Sequence, residues 1–222
     1  MLEIKSTEVI DWFKYIGLPL NRTTIYLSRP FKTRSVFFYP GGVFFPALLT
    51  GYVFPSQIYE EIIRRYTHEA SHGAFFENTH IGRLISDLDK SILDEEIRIF
   101  GGRIDDRNII VYEDDIEGSK RLTINEAREK FGEIYGEDYE YWSVGKTEFE
   151  EYKRKTNLLQ ALLESYLDLI EGFAVFCESG ILKIDFYDEI PEKISIWYRF
   201  FVNLKPEDVS EFLQSIKYSQ EN

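Results

Sequence analysis

His68-Glu69-Ala70-Ser71-His72 places two of the chain's three histidines four positions apart, with a carboxylate directly after the first. In a helix, residues four apart stand one turn apart on one face. Two imidazoles so placed can each offer a ring nitrogen to one zinc ion at ~2.0–2.1 Å. Glu69 sits one position on from His68, so its carboxylate can reach a water on the metal's open side without binding the metal itself. Zinc lowers the pKa of such a water, and the carboxylate takes its proton as general base. Each fixed residue of the segment thus has a mechanical reason. The same spacing also arises by chance on a solvated helix face, so a second feature is needed.

That feature is a third ligand, because catalytic zinc takes three protein ligands and a water. A third histidine six positions beyond His72 would fall at 78, which is Asn78, and the glycine expected with it at 75 is Phe75. His80 is therefore not that ligand. The other source is a glutamate on a second helix. Glu171 opens EGFAVFCE, residues 171–178, in the apolar second half of a long helical pattern. A carboxylate there must find a partner, because burying it unpaired is expensive. Gly172 and Ala174 are small enough for another helix to approach closely.

With HEASH upstream, EGFAVFCE resembles the EGFAxYxE segment of the aminopeptidase N-type gluzincins. The resemblance covers these two short segments, which stand much further apart here than in that family. The family's amine-recognition segment, of Gly-Ala-Met-Glu-Asn type, is absent. The resemblance implies a zincin-like site with His68, His72 and Glu171 as zinc ligands and Glu69 as general base. It carries no aminopeptidase specificity.

Such chemistry also needs a donor for the developing oxyanion, often a Tyr or His facing the metal. His80, Tyr187 and Tyr198 are candidates, with none preferred. Asp168 and Glu164 precede Glu171 by one and two turns. Either can take the free ring N–H of a ligand histidine, or simply solvate an exposed edge. Glu178 reads as a helix-end residue, and Cys177 as packed rather than reactive.

The elements that must position these groups are legible in outline. Ser6 or Thr7 can cap a first helix, EVIDWFKYI, stopped by Gly17 and Pro19. TTIYLS alternates as a strand, and SVFFY and VFFPALL flank a Pro40-Gly41-Gly42 turn, so residues 22–54 read as a small antiparallel sheet. VFFPALL is apolar enough to line a cleft by strand addition, but core is the simpler reading. Residues 56–100 hold two helices: the histidine helix, capped by Ser56 and running to about Glu77, and a second from Ile81 to Phe100 after an Asn78-Thr79 break. Residues 101–146 form an inserted acidic region with a strand at NIIVY, an exposed loop from Tyr112 to Glu117, and a helix over INEAREKFGEIYG capped by Thr123. Residues 147–222 hold the third-ligand helix, from about Thr147 to Glu178 with a stop at Ser179-Gly180. They end in an amphipathic helix, PEDVSEFLQSIKYS. ILKIDFY and IPEKISIWYRFFVNL carry no decisive pattern.

Composition bounds the function. The net charge of -13 argues against nucleic acid as the main partner, since phosphate binding needs a basic surface. Forty-four per cent hydrophobic residues, with 18 Phe and 15 Tyr, describe a globular chain with a real core. No stretch approaches ~18 consecutive apolar residues, so no membrane span is expected. The start, MLEIKSTEVIDWF, does not read as a secretory signal. A single cysteine, Cys177, permits no internal disulfide and points to a reducing, cytoplasmic setting. The Glu, Lys, Arg, Ile and Tyr bias leans toward a thermophile.

The expectation is one α+β zincin-like domain over residues 1–222, mostly helical, with a small N-terminal antiparallel sheet. It is expected to be a hydrolase that holds one Zn2+ and cleaves a peptide bond in a peptide or protein substrate. The alternatives are a zincin-like metal-binding or regulatory protein without turnover, and a metal-free helical interaction protein. The last predicts that Glu171 lies far from the two histidines.

Overall fold

A computed structural model of the chain describes residues 2–3, 5–27, 37–39, 42–100, 102–104, 108–111, 120–123, 146–185 and 190–217. Among them the fold is α+β and mostly helical. The elements are β1 (Leu2–Glu3), α1 (Thr7–Tyr15), β2 (Thr24–Leu27), β3 (Phe37–Tyr39), β4 (Gly42–Phe45), a 3-10 turn (Pro46–Leu48) and β5 (Thr50–Val53). They continue with α2 (Tyr59–Asn78), α3 (His80–Phe100), β6 (Gly102–Ile104), β7 (Asn108–Val111), β8 (Lys120–Thr123), α4 (Lys146–Leu182), α5 (Glu192–Val202) and α6 (Pro206–Ser215).

The chain divides into two compact units. The first takes residues 1–31, 35–87 and 162–222 and carries the histidine helix. The second takes residues 32–34 and 88–161. It contains the antiparallel meander β6-β7-β8. Its helical residues include Lys155, which donates to Ser91 Oγ at 2.9 Å and pairs with Glu95. The loop expected over 112–117 and the helix expected after Thr123 lie outside the described residues.

In the first unit the sheet order is β1-β2-β5-β4-β3. The three strands expected between 22 and 54 form there, as β2, β3 and β4, with β5 as a further strand, but the sheet is mixed rather than antiparallel. β4 and β5 pair antiparallel around the 3-10 turn. β5 then lies between β4 and β2 and pairs with β2 in parallel, Thr24 opposite Thr50. A hairpin signal fixes which neighbours pair through a tight turn, not which strand the hairpin docks against. β1 was not anticipated, being only two residues long.

Ser6 caps α1 through Val9 N–H, and Gly17 beyond its end takes φ 76°. Ser56 does not itself cap α2, which starts two residues later than its cap position would require. Its hydroxyl instead accepts from Ile58 N–H at 3.1 Å and bonds Glu61 at 2.5 Å. Glu60 and Glu61 complement the positive end of the helix. Thr79 ends α2 and caps α3, its hydroxyl accepting from Gly82 N–H at 2.9 Å.

α2 is buried without interruption from Tyr66 to Glu77, because it is covered from two sides. On one side lies the sheet: Phe44 stacks on Phe76 with ring centres 5.7 Å apart and lies 6.0 Å from the His72 ring. On the other lies α4, where Phe173 meets Phe75 at 6.4 Å. Val43, Phe44 and Phe45 are buried, so most of VFFPALL is core; Leu48 is exposed.

α4 runs on to Leu182, past the expected stop at Ser179-Gly180. It ends at Lys183, which takes a left-handed φ of 59°. Gly180 is not a cap here. Its missing side chain makes room for the Trp12 ring of α1. IPEKISIWYRFFVNL resolves as α5, which crosses α4 at Gly172. A Cβ at 172 would overlap that of Trp197 and lie 3.0 Å from Ile194 O and 3.1 Å from Tyr198 N. Backbone cannot swing aside as a side chain can. Gly172→Ala is therefore expected to lower stability by about 1–3 kcal/mol, despite alanine's better helix propensity. Denaturant unfolding measures this; an unchanged or raised midpoint would refute the close helix crossing.

Candidate metal centre

α2 buries six polar or charged side chains within eleven residues: Thr67, His68, Glu69, Ser71, His72 and Glu77. Two are satisfied locally. Ser71 Oγ donates to Thr67 O at 2.7 Å. Glu77 accepts from the backbone N–H groups of Asn21, Arg22 and Thr23, at 3.1, 3.0 and 2.5 Å, and from the Thr23 hydroxyl at 2.6 Å. The two histidines and the glutamate between them require another account.

α4 supplies it. His68 Nε2 lies 3.2 Å from Glu171 Oε2, and His72 Nε2 lies 3.7 Å from Glu171 Oε1. The two imidazoles are 4.7 Å apart, centre to centre, and nearly perpendicular at 86°. One donor atom from each of His68, His72 and Glu171 falls within a mutual distance of 4.8 Å. A tetrahedral ion with bonds of ~2.0–2.1 Å separates its ligand atoms by about 3.3–3.4 Å. The measured separations bracket that value, and two imidazole nitrogens with one carboxylate are a zinc-type donor set. The residues fit the ion. The metal-free helical reading required Glu171 to stand far from the histidines, and it does not.

Electrostatics agree with the geometry. Burial works against protonation of His68, but hydrogen bonds and charge from Glu171 and Glu178 outweigh it and hold its pKa well above the ordinary value. Burial likewise opposes ionisation of Glu171, yet His72 and His68 hold it below the usual carboxylate range. Burial pushes His72 down to about 3, with the charge of His68 adding to the effect and that of Glu171 opposing it.

Glu69 behaves differently. It is fully buried, and neither carboxylate oxygen has a hydrogen-bond partner among the described residues. Burial raises its pKa to about 8; the charge of His68 opposes the rise and those of Glu171 and Glu178 add to it. Its carboxylate lies against β4 at Gly42, where a Cβ would be 2.8 Å from Glu69 Cδ. Only glycine leaves that space.

The partner of His68 Nδ1 is Glu178, at 2.6 Å, rather than Asp168 or Glu164. Glu178 is fully buried, so it is not a mere helix-end residue. Its other oxygen accepts from Arg64 Nε at 2.6 Å. Both Arg64 and Glu178 were missed as site residues in the sequence. The available signal was spacing: Arg64 precedes His68 by four and Glu178 follows Glu171 by seven, each whole turns on the same stripe.

The oxyanion candidates separate. His80 is exposed at the start of α3. The Tyr198 hydroxyl engages Asp185 at 2.9 Å and Ser179 at 3.2 Å, at the far end of α4. Tyr187 lies outside the described residues. Cys177 is buried, and burial pushes its thiol up to about 12, as a packed rather than reactive cysteine requires.

Compared with known protein families, curated proteins and solved structures, the chain matches none.

Proposed function

We propose that the chain is a zinc-dependent hydrolase of the gluzincin type that cleaves a peptide bond. The observation that carries this reading is Glu69, a buried carboxylate without a hydrogen-bond partner among the described residues, adjacent in sequence to a zinc-type donor set. Leaving such a group unpaired costs folding free energy, and an apolar residue would pack there without that cost. Retaining it makes sense where a proton has to move.

In this reading His68, His72 and Glu171 hold the ion, and Glu178 with Arg64 sets the orientation of His68. Zinc, when bound, supplies a Lewis acid that acidifies water and polarises a carbonyl. Glu69 accepts the proton of the attacking water and hands it on to the leaving amine. Gly42 keeps the space that its carboxylate needs. The proposed substrate is a peptide or protein. Nucleic acid remains unsuited to a chain of net charge -13. Among the described residues no helix is long and apolar enough to cross a membrane. The proposed setting is the cytoplasm, where a single, buried cysteine meets reducing conditions.

One observation favours a second reading, a metal-holding or regulatory protein without turnover. His68 and Glu69 are fully buried, His72 is 1% exposed, and the Glu171 side chain keeps 17% exposure. The two readings share the metal and differ in catalysis. The test is elemental mass spectrometry of protein purified without added metal, followed by a peptide-library cleavage assay. About one zinc per chain with chelator-sensitive cleavage supports the hydrolase. Zinc without cleavage supports the second reading. No zinc, and none taken up on titration, ends both.

A further inference from the structure

Arg64, His68 and His72 recur at intervals of four, so they line one stripe of α2. α4 lies against that stripe in the opposite direction. Glu171 meets His72 and His68, and one turn nearer the start of α2, Glu178 meets His68 and Arg64. The oxygens of Glu178 are divided: Oε1 faces His68 Nδ1 and Oε2 accepts from Arg64, each at 2.6 Å. The Glu178 side chain has no exposure, and Arg64 keeps 29%.

A carboxylate so deeply buried needs a counter-charge as well as hydrogen bonds. A metal-ligating histidine is a neutral imidazole. It offers Glu178 an N–H but no positive charge. Arg64 is the cation placed to supply it, and a guanidinium keeps its proton at any working pH. With zinc present, the metal and Arg64 balance three carboxylates: Glu69, Glu171 and Glu178. Without Arg64 the same buried cluster carries one negative charge in excess.

We propose that Arg64 is a positioning residue of the metal centre. It acts through Glu178 to hold His68 in the tautomer with its proton on Nδ1, so that Nε2 is presented to the ion. The inference rests on the zinc reading above and adds a residue that never touches the metal. A merely structural ion pair between α2 and α4 would affect the stability of the metal-free protein and leave the affinity of the folded protein for zinc unchanged.

The experiment uses the full chain. Zinc affinity is read by chelator competition, and ligand geometry by the visible absorption of the cobalt-substituted protein. Arg64→Gln and Glu178→Gln are each expected to weaken zinc binding by about 10–100-fold and to shift the cobalt bands. Arg64→Lys keeps the charge but loses the fork, and is expected to fall between wild type and Arg64→Gln. The double variant is expected to bind no more weakly than the worse single one, because both break one relay. Wild-type affinity in Arg64→Gln, or fully multiplying losses in the double variant, overturns the assignment. If Arg64→Gln does not fold, Arg64→Lys decides in its place: wild-type zinc affinity with unshifted cobalt bands there overturns the assignment. Wild-type protein that takes up no zinc sinks the zinc reading itself and this inference with it. Zinc-binding wild type with unaffected variants sinks only the role of Arg64.

Discussion

Glu69→Gln is expected to cut peptide hydrolysis by about 10²–10⁴-fold while zinc content stays at that of wild type, the range that a positioned acid–base group contributes. The substitution keeps the shape of the side chain and removes its ability to take a proton. The carboxylate lies against Gly42, and its oxygens have no hydrogen-bond partner among the described residues. An amide therefore breaks no bond described here. The fold control has a definite sign. In the metal-free protein the Glu69 pKa is raised from 4.5 to about 8, chiefly by burial. Between those values the unfolded chain has lost the proton that the native chain keeps, so this residue makes stability fall as pH rises. The Gln variant lacks that slope. Metal-free Glu69→Gln should hold its melting temperature better than wild type between pH 5 and pH 8. Undiminished hydrolysis by the variant would end the proposed mechanism, and lost zinc would assign Glu69 to the ligand set instead.

Glu171→Ala is expected to weaken zinc binding by more than about 100-fold, beyond the loss that follows removal of an outer partner. Glu171 approaches both histidines from α4, Oε2 to His68 and Oε1 to His72. Without it two nitrogens remain, one short of the three protein ligands a catalytic zinc keeps. Circular dichroism should still report a folded helical protein, since the Glu171 side chain keeps 17% exposure and is not part of the apolar core. Chelator competition provides the number. A folded variant with wild-type affinity would remove Glu171 from the ligand set and leave its closeness to the histidines without a role.

The local part of this site could be read from the chain alone. Helical periodicity marked α2 and α4, and the spacing of His68, Glu69 and His72 named three groups that one helix face must bring together. The cost of burying Glu171 required a partner, and the structure brings the two histidines to it. The α+β class followed in the same way, from a cluster of short apolar strands ahead of long helical patterns. These are properties of nearest neighbours and of single turns.

Directions and docking choices came from long-range packing. α4 runs antiparallel to α2, so the carboxylate that reaches His68 Nδ1 lies beyond Glu171, at Glu178, and not before it at Asp168 or Glu164. Helical spacing is symmetric about Glu171, and periodicity cannot say which way the partner helix points. β5 pairs in parallel with β2 because of where a hairpin docks, which no turn residue encodes. Gly180 stays inside α4 because the Trp12 ring lies against it, so a residue that stops isolated helices here serves a contact with α1. Each of these outcomes depends on a surface supplied by a distant part of the chain.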